Sequence, residues 1–126
     1  KHNPAALHAA VHALQQGDAV NVSPEAKRNY TEQLLLPFKY GAVVMSARAH
    51  APIIPYAITG TYKPFSGGVT VRFGAPFYAS DDLTAANREL YNRIAALLRR
   101  SMDPAVLAQK QFTEFDEWSI GHDKTS

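Results

Sequence analysis

No cysteine occurs in the 126-residue sequence, which excludes disulfides, thiolate metal sites and cysteine nucleophiles. A chain of this length buries roughly two thirds of its unfolded surface, enough for a core without such crosslinks. Long apolar runs are also missing. The strongly apolar stretches "GAVVMSA" and "APIIPYAI" fall well short of the roughly 18 to 20 residues that cross a bilayer. The opening residues have no signal-peptide layout, and residue 1 is Lys rather than Met; the expectation is a piece of a longer protein. There is no G-x-S-x-G turn to expose a serine nucleophile. The glycines of "SGGVTVRFG" lie between extended runs and not at a helix start, where a phosphate cradle needs them.

Charge is present but uneven. The net charge is +2, yet residues 1–100 hold eleven Lys/Arg against six Asp/Glu, while 101–126 hold two against five. A basic body with an acidic tail suits anionic headgroups, phosphorylated substrates or nucleic acid without choosing among them. The body has no dense Lys/Arg stripe, and its aromatics fall at core positions, which argues against a nucleic-acid surface.

Hydrophobic periodicity divides the chain into alternating helices and strands. "NPAALHAAVHALQQG" reads as a helix with Asn3 as cap, Pro4 in the first turn, Leu7, Val11 and Leu14 on one face, and Gly17 as its end. "AVNVS" alternates like a short strand. After a turn at Pro37 comes a helix of about three turns, with Val43, Val44 and Ala47 inward and Arg48 outward. "PIIPYAITG" reads as a strand apolar on both faces, "YKPFSGG" as a turn and "VTVRFG" as an alternating strand. Thr84 can cap a late helix striped by Leu90, Ile94, Leu97 and Leu98, with Arg88, Arg93, Arg99 and Arg100 on its solvated face. From Asp103 a further short helix is expected, with Phe112, Phe115 and Trp118 as docking aromatics and "GHDKTS" as a frayed end. The alternation predicts an α/β fold, a layered sheet with flanking helices.

Candidate chemistry is sparse. His8 and His12 share a helix face at metal-compatible spacing, but no acidic partner lies nearby in sequence. His50 sits at a helix end, where capping or a left-handed turn explains it as well as chemistry would, and His122 lies in the tail. The run "SPEAKRN" presents Glu25, Lys27 and Arg28 together. Read from the residues alone, it is either a surface turn with a local ion pair worth at most about 1 kcal/mol, or an anion site. In the second case an arginine fork matches phosphate oxygens near the carboxyl end of a strand.

The order of segments carries more than any one of them. "LQQGDAVNVSPEAKRN", "LLPFKYGAVVMSARAHAPIIPYAITGTY" and "VTVRFGAPF" resemble the glycerolipid acyltransferase family, typified by 1-acylglycerol-3-phosphate O-acyltransferases. Its members carry F-P-E-G-T-R-S, then L-P-F-K-x-G, then a proline-bounded V-P-[IV]-[IV]-P strand, then F-G-x-P. The likeness covers roughly residues 5 to 100. Pro24, Glu25 and Arg28 match the first block, in which the family's glutamate and arginine help hold the acceptor and its phosphate. Pro52 and Pro55, enclosing Ile53 and Ile54, match the proline-bounded strand. Ser23, Ala26, Lys27 and Asn29 stand where the family has Phe, Gly, Thr and Ser. Losing the glycine restricts the turn, and Lys27 adds a charge beside Arg28.

The family's His-x4-Asp motif, in which histidine is the general base and aspartate orients it, has no counterpart in this sequence. The resemblance therefore implies residues 1–102 as the C-terminal part of an acyltransferase domain and 103–126 as a C-terminal helix and tail. It implies a fatty acyl group moved from an acyl thioester, acyl-CoA or acyl-carrier-protein, to the hydroxyl of a lysophosphatidic-acid-like or related lipid acceptor in phospholipid biosynthesis. Glu25 and Arg28 would hold the acceptor, assisted by Lys27 and by Lys39 near a helix start, where an anion is favoured. The base would come from outside the chain, so these residues alone would be inactive. No catalytic residue, metal or bound cofactor is expected within them. Partners would be the lipid acceptor, the acyl thioester and, through the parent protein, the cytoplasmic side of a membrane, with no nucleic acid. The alternative is a non-catalytic α/β module binding an anionic lipid or phosphate group through the same loop.

Overall fold

The computed structural model describes residues 4–25, 33–60 and 68–115. Four helices and one hairpin occur there: α1 (Pro4–Gln15), α2 (Gly41–Ala49), β1 (Tyr56–Gly60), β2 (Val69–Phe73), α3 (Leu83–Ser101) and α4 (Pro104–Leu107). The chain is thus mixed helix and sheet, compatible with α/β. None of these helices is long and apolar enough to cross a membrane.

Local signals account for most helix ends. Pro4 opens α1, where a missing N–H is tolerated, and Gly17 follows its end with φ of 92°, the left-handed conformation a C-terminal cap uses. α1 lies along α2 and buries no residue completely. α2 ends at His50 in the left-handed region, its N–H returning to the Ser46 carbonyl. α3 is capped by Asp82, whose carboxylate accepts from the Ala85 N–H at 3.1 Å, and not by Thr84. Asp82 wins because its backbone is extended just ahead of the first helical turn. Asp103 caps α4 in the same way, accepting from the Ala105 N–H at 2.8 Å.

Two strand readings are corrected. Residues 19–23 form no strand among the described residues; alternation favours extended backbone, but a strand also needs a paired neighbour. The run from Pro52 to Gly60 is not one continuous strand. Ile53 makes an isolated bridge with Phe77, and β1 begins only at Tyr56, because Pro55 has no N–H to give to a ladder. β1 and β2 pair antiparallel, Tyr56 opposite Phe73 and Ile58 opposite Val71. Gly60, the last residue of β1, has φ of 106°, and a Cβ there would run into the Gly68 carbonyl.

Nor is the hairpin buried on both faces. Ala57 and Thr59 face α3, the latter donating to the Ser101 carbonyl at 3.4 Å. Ile58, Val71 and Phe73, on the opposite face, are 55%, 48% and 66% exposed. Among the described residues one helical layer covers one side of the sheet. Close approach on that side explains Gly74, where a Cβ would press on Pro55 and Leu97.

The core centres on α3. Leu90, Tyr91, Ala95 and Leu97 are buried together with Ala86 and Asn87, the face expected of a helical stripe. The fully buried Tyr91 ring meets Phe38 edge-on at 5.0 Å, Phe115 at 5.7 Å and Phe112 at 5.8 Å. Such pairs add about 0.5–1.5 kcal/mol each beyond area burial. Phe112 and Phe115 therefore dock as expected; Trp118 and "GHDKTS" lie outside the described residues. Two arginines assigned to the solvated face have other partners. Arg93 lies over Phe77 at 4.4 Å and pairs with Glu89 at 2.7 Å, and Arg99 lies over Phe112 at 4.2 Å. A guanidinium at the end of three methylenes reaches back across a neighbouring ring without leaving water.

Candidate functional site

Pro37 shapes the segment ahead of α2. It disfavours helical backbone at Leu36, so the chain from Leu36 to Lys39 stays non-helical and its N–H groups need partners elsewhere. They find them at Pro24 and Glu25. The Leu36 N–H donates to Glu25 Oε2 at 2.7 Å, and the Lys39 N–H donates to the Pro24 carbonyl at 2.8 Å. Two of the motif blocks, "SPE" and "LLPFK", are thereby clasped backbone to side chain and backbone to backbone. Asn87 on α3 supports the same block from within, its Nδ2 making a long 3.4 Å contact to the Phe38 carbonyl.

Glu25 is half-buried, and burial pushes its carboxyl pKa above the usual value, with the Leu36 N–H pulling in the opposite direction. The carboxylate stands at the edge of an apolar cleft of about 410 Å³, within the size range of small-molecule sites. Leu14 of α1, Met45 of α2, Ile54 and Ile58 of the hairpin side, and Ile94 and Leu98 of α3 contribute walls. Asn21 bridges the cleft's loop side to β1 by accepting from the Tyr56 hydroxyl at 2.7 Å.

The structure gathers Pro24, Glu25, Pro52 and Pro55 around this cleft. Pro55 is buried and Pro52 exposed. Lys39 is exposed and does not line the cleft; its backbone, not its ammonium, engages the loop. Lys27 and Arg28 lie outside the described residues. His8 and His12 are exposed on α1, and no metal-competent cluster of side chains occurs among the described residues.

Sequence reasoning missed Tyr56, Asn21 and Ser46. The first two carry no local signal, since only the fold brings them together across 35 positions. Ser46 is a polar residue buried on α2, its hydroxyl satisfied by donating to the Ala51 carbonyl at 2.6 Å and accepting from the Ala79 N–H at 3.3 Å. It pins the start of the proline-bounded run to α2.

The family model described as Acyltransferase matches residues 1–59. Those residues carry α1, the Pro24–Glu25 loop, α2, the proline-bounded run and most of β1. Over that stretch the sequence is similar to the acyltransferase family, consistent with the resemblance of its motifs to those of glycerolipid acyltransferases. β2, α3 and the tail lie beyond the matched residues. Comparison with curated proteins and with solved structures gives no match.

Proposed function

We propose that this chain is the acceptor-holding part of an O-acyltransferase that moves a fatty acyl group from an acyl-CoA or acyl-carrier-protein thioester to the hydroxyl of a lysophosphatidic-acid-like lipid, in phospholipid biosynthesis at the cytoplasmic side of a membrane. The observation that carries the reading is the clasp of Glu25 to Leu36 at the edge of an apolar cleft, inside the family-matched residues. A polar loop beside an apolar cleft suits an amphiphile, with Glu25, Lys27 and Arg28 at the headgroup and Lys39 adding positive charge nearby. Pro24, Pro52 and Pro55 keep the surrounding backbone in place. In this reading the hairpin and its helices belong to a layered α/β sheet. The reaction's general base is supplied by residues other than these 126, because no His-x4-Asp spacing occurs among them.

Titrating the purified chain with lysophosphatidate below its micelle concentration tests the headgroup role. Arg28→Ala is expected to weaken binding by roughly tenfold or more, the size of a lost charge-assisted hydrogen bond; unchanged affinity sinks it. The same chain mixed with acyl-CoA and lysophosphatidate is expected to give no transfer. The missing base also favours a second reading, a non-catalytic module that binds anionic lipid. A His-x4-Asp motif in the full reading frame encoding these residues selects the enzyme, and its absence the binder.

A further inference from the structure

The segment after α4 runs back over the body and meets the residues that lead into the "LLPFK" block. The Leu34 N–H donates to the Gln111 carbonyl at 2.6 Å, and Gln33 and Gln111 form a parallel bridge. The Gln33 side chain is bracketed by this segment: its Nε2 donates to Gln111 Oε1 at 3.1 Å, and its Oε1 accepts from the Thr113 hydroxyl at 2.7 Å. The segment is itself fixed, since the Tyr91 hydroxyl donates to the Thr113 carbonyl at 2.8 Å and Phe115 is buried in the core.

Three consecutive buried leucines follow Gln33, and the last of them, Leu36, gives its N–H to Glu25. Close-packed side chains pass on a displacement and do not absorb it. Glu25, held by Leu36, and Gln33, held by Gln111 and Thr113, are thus two anchored points. We propose that Gln111 and Thr113 are positioning residues for the Gln33–Leu36 segment, setting the register of Leu36 against Glu25 from the far end of the chain. The role in acceptor binding rests on the reading of Glu25 given above; the positioning itself rests on these contacts.

The test is NMR on the full 126-residue chain, with the Leu36 amide as reporter. In the wild type its proton shift follows the titration of Glu25, because that carboxylate is its acceptor. Gln33→Ala combined with Thr113→Val removes both side-chain links. Hydrogen exchange at Leu36 is then expected to speed up by roughly tenfold or more, as for about two lost hydrogen bonds, and the pH-dependent step to shrink or vanish. Amides of α1 stay unchanged, which separates this from general loosening. Thr113→Val alone gives a smaller effect in the same direction and serves if the double variant does not fold; Thr113→Ser, which keeps the hydroxyl, restores the wild-type step. An unchanged Leu36 amide in Gln33→Ala with Thr113→Val overturns the positioning role. Lysophosphatidate added to the same samples separates the two claims: failure of the wild type to bind it overturns the acceptor reading, whereas binding that weakens only where the Leu36 step is lost supports both.

Discussion

Replacing Glu25 by alanine leaves the Leu36 N–H without its acceptor in a residue that is only 8% exposed. A hydrogen bond to a charged group contributes about 1.5–3 kcal/mol. Burial of the carboxylate offsets part of this, as the upward push on its pKa indicates. The net loss is therefore about 1–2 kcal/mol, or roughly 3–10 °C in Tm for a domain of this size. Glu25→Gln keeps an acceptor and removes the charge, so it costs less than alanine. The two variants also separate by pH. The folded-state pKa lies above the ordinary 4.5, so between 4.5 and that raised value the folded state binds more protons than the unfolded one. Stability contributed by Glu25 is then fully present below 4.5 and is lost as pH rises through the folded pKa. Urea denaturation from pH 4 to 8 reads this directly. The stability of the wild type minus that of Glu25→Gln should fall with rising pH and then level off. A difference that grows with pH refutes the burial argument, and a Glu25→Ala variant as stable as the wild type refutes the clasp.

Three further outcomes follow from single contacts. Asp82→Ala removes the cap of α3 and should cost about 1 kcal/mol, whereas Thr84→Ala should be near neutral; equal losses in denaturation would show that Asp82 is not the cap. Gly60→Ala places a Cβ against the Gly68 carbonyl at a positive φ and should cost about 1–3 kcal/mol, while Gly17→Ala, which meets no neighbouring atom, suffers only the backbone term. Tyr91→Phe leaves the Thr113 carbonyl without its donor and should cost about 1 kcal/mol; limited proteolysis should cleave near residue 113 sooner, and an unaltered cleavage rate would show that this bond does not hold the tail.

Helices were the most legible part of the sequence because their signals are local. Pro4 and Gly17 bound α1, the left-handed turn falls at His50, and Leu90, Leu97 and their neighbours mark the buried face of α3. The Thr84 reading missed by two residues for a reason the sequence hides. Both Asp82 and Thr84 are acceptable caps, and only the backbone angles decide which one stands outside the helix. Strands were harder. Alternation at 19–23 looks like a strand, but pairing is a property of two segments, and no partner arrives there among the described residues.

The site divides along the same line. Motif order marked Pro24, Glu25, Pro52 and Pro55, and the structure gathers all four at one cleft. What Glu25 touches was not readable, since its carboxylate accepts from the N–H of a residue eleven positions away. The tail contacts span still more of the chain, Gln33 meeting Gln111 and Thr113 at separations of 78 and 80 positions.

By itself the sequence determined most helix ends, the exclusion of cysteine chemistry, and that blocks resembling those of acyltransferases stand in order. Each of these depends on neighbours within a few positions or on residue identity alone. Tertiary structure decided that Ser46 is buried, that Ile58 and Phe73 face outward, that Arg93 and Arg99 cover rings, that Glu25 meets Leu36 and that Gln33 meets the tail. Those outcomes depend on which distant segments meet, and a hydrogen bond or a buried face is satisfied only by the partner the fold delivers.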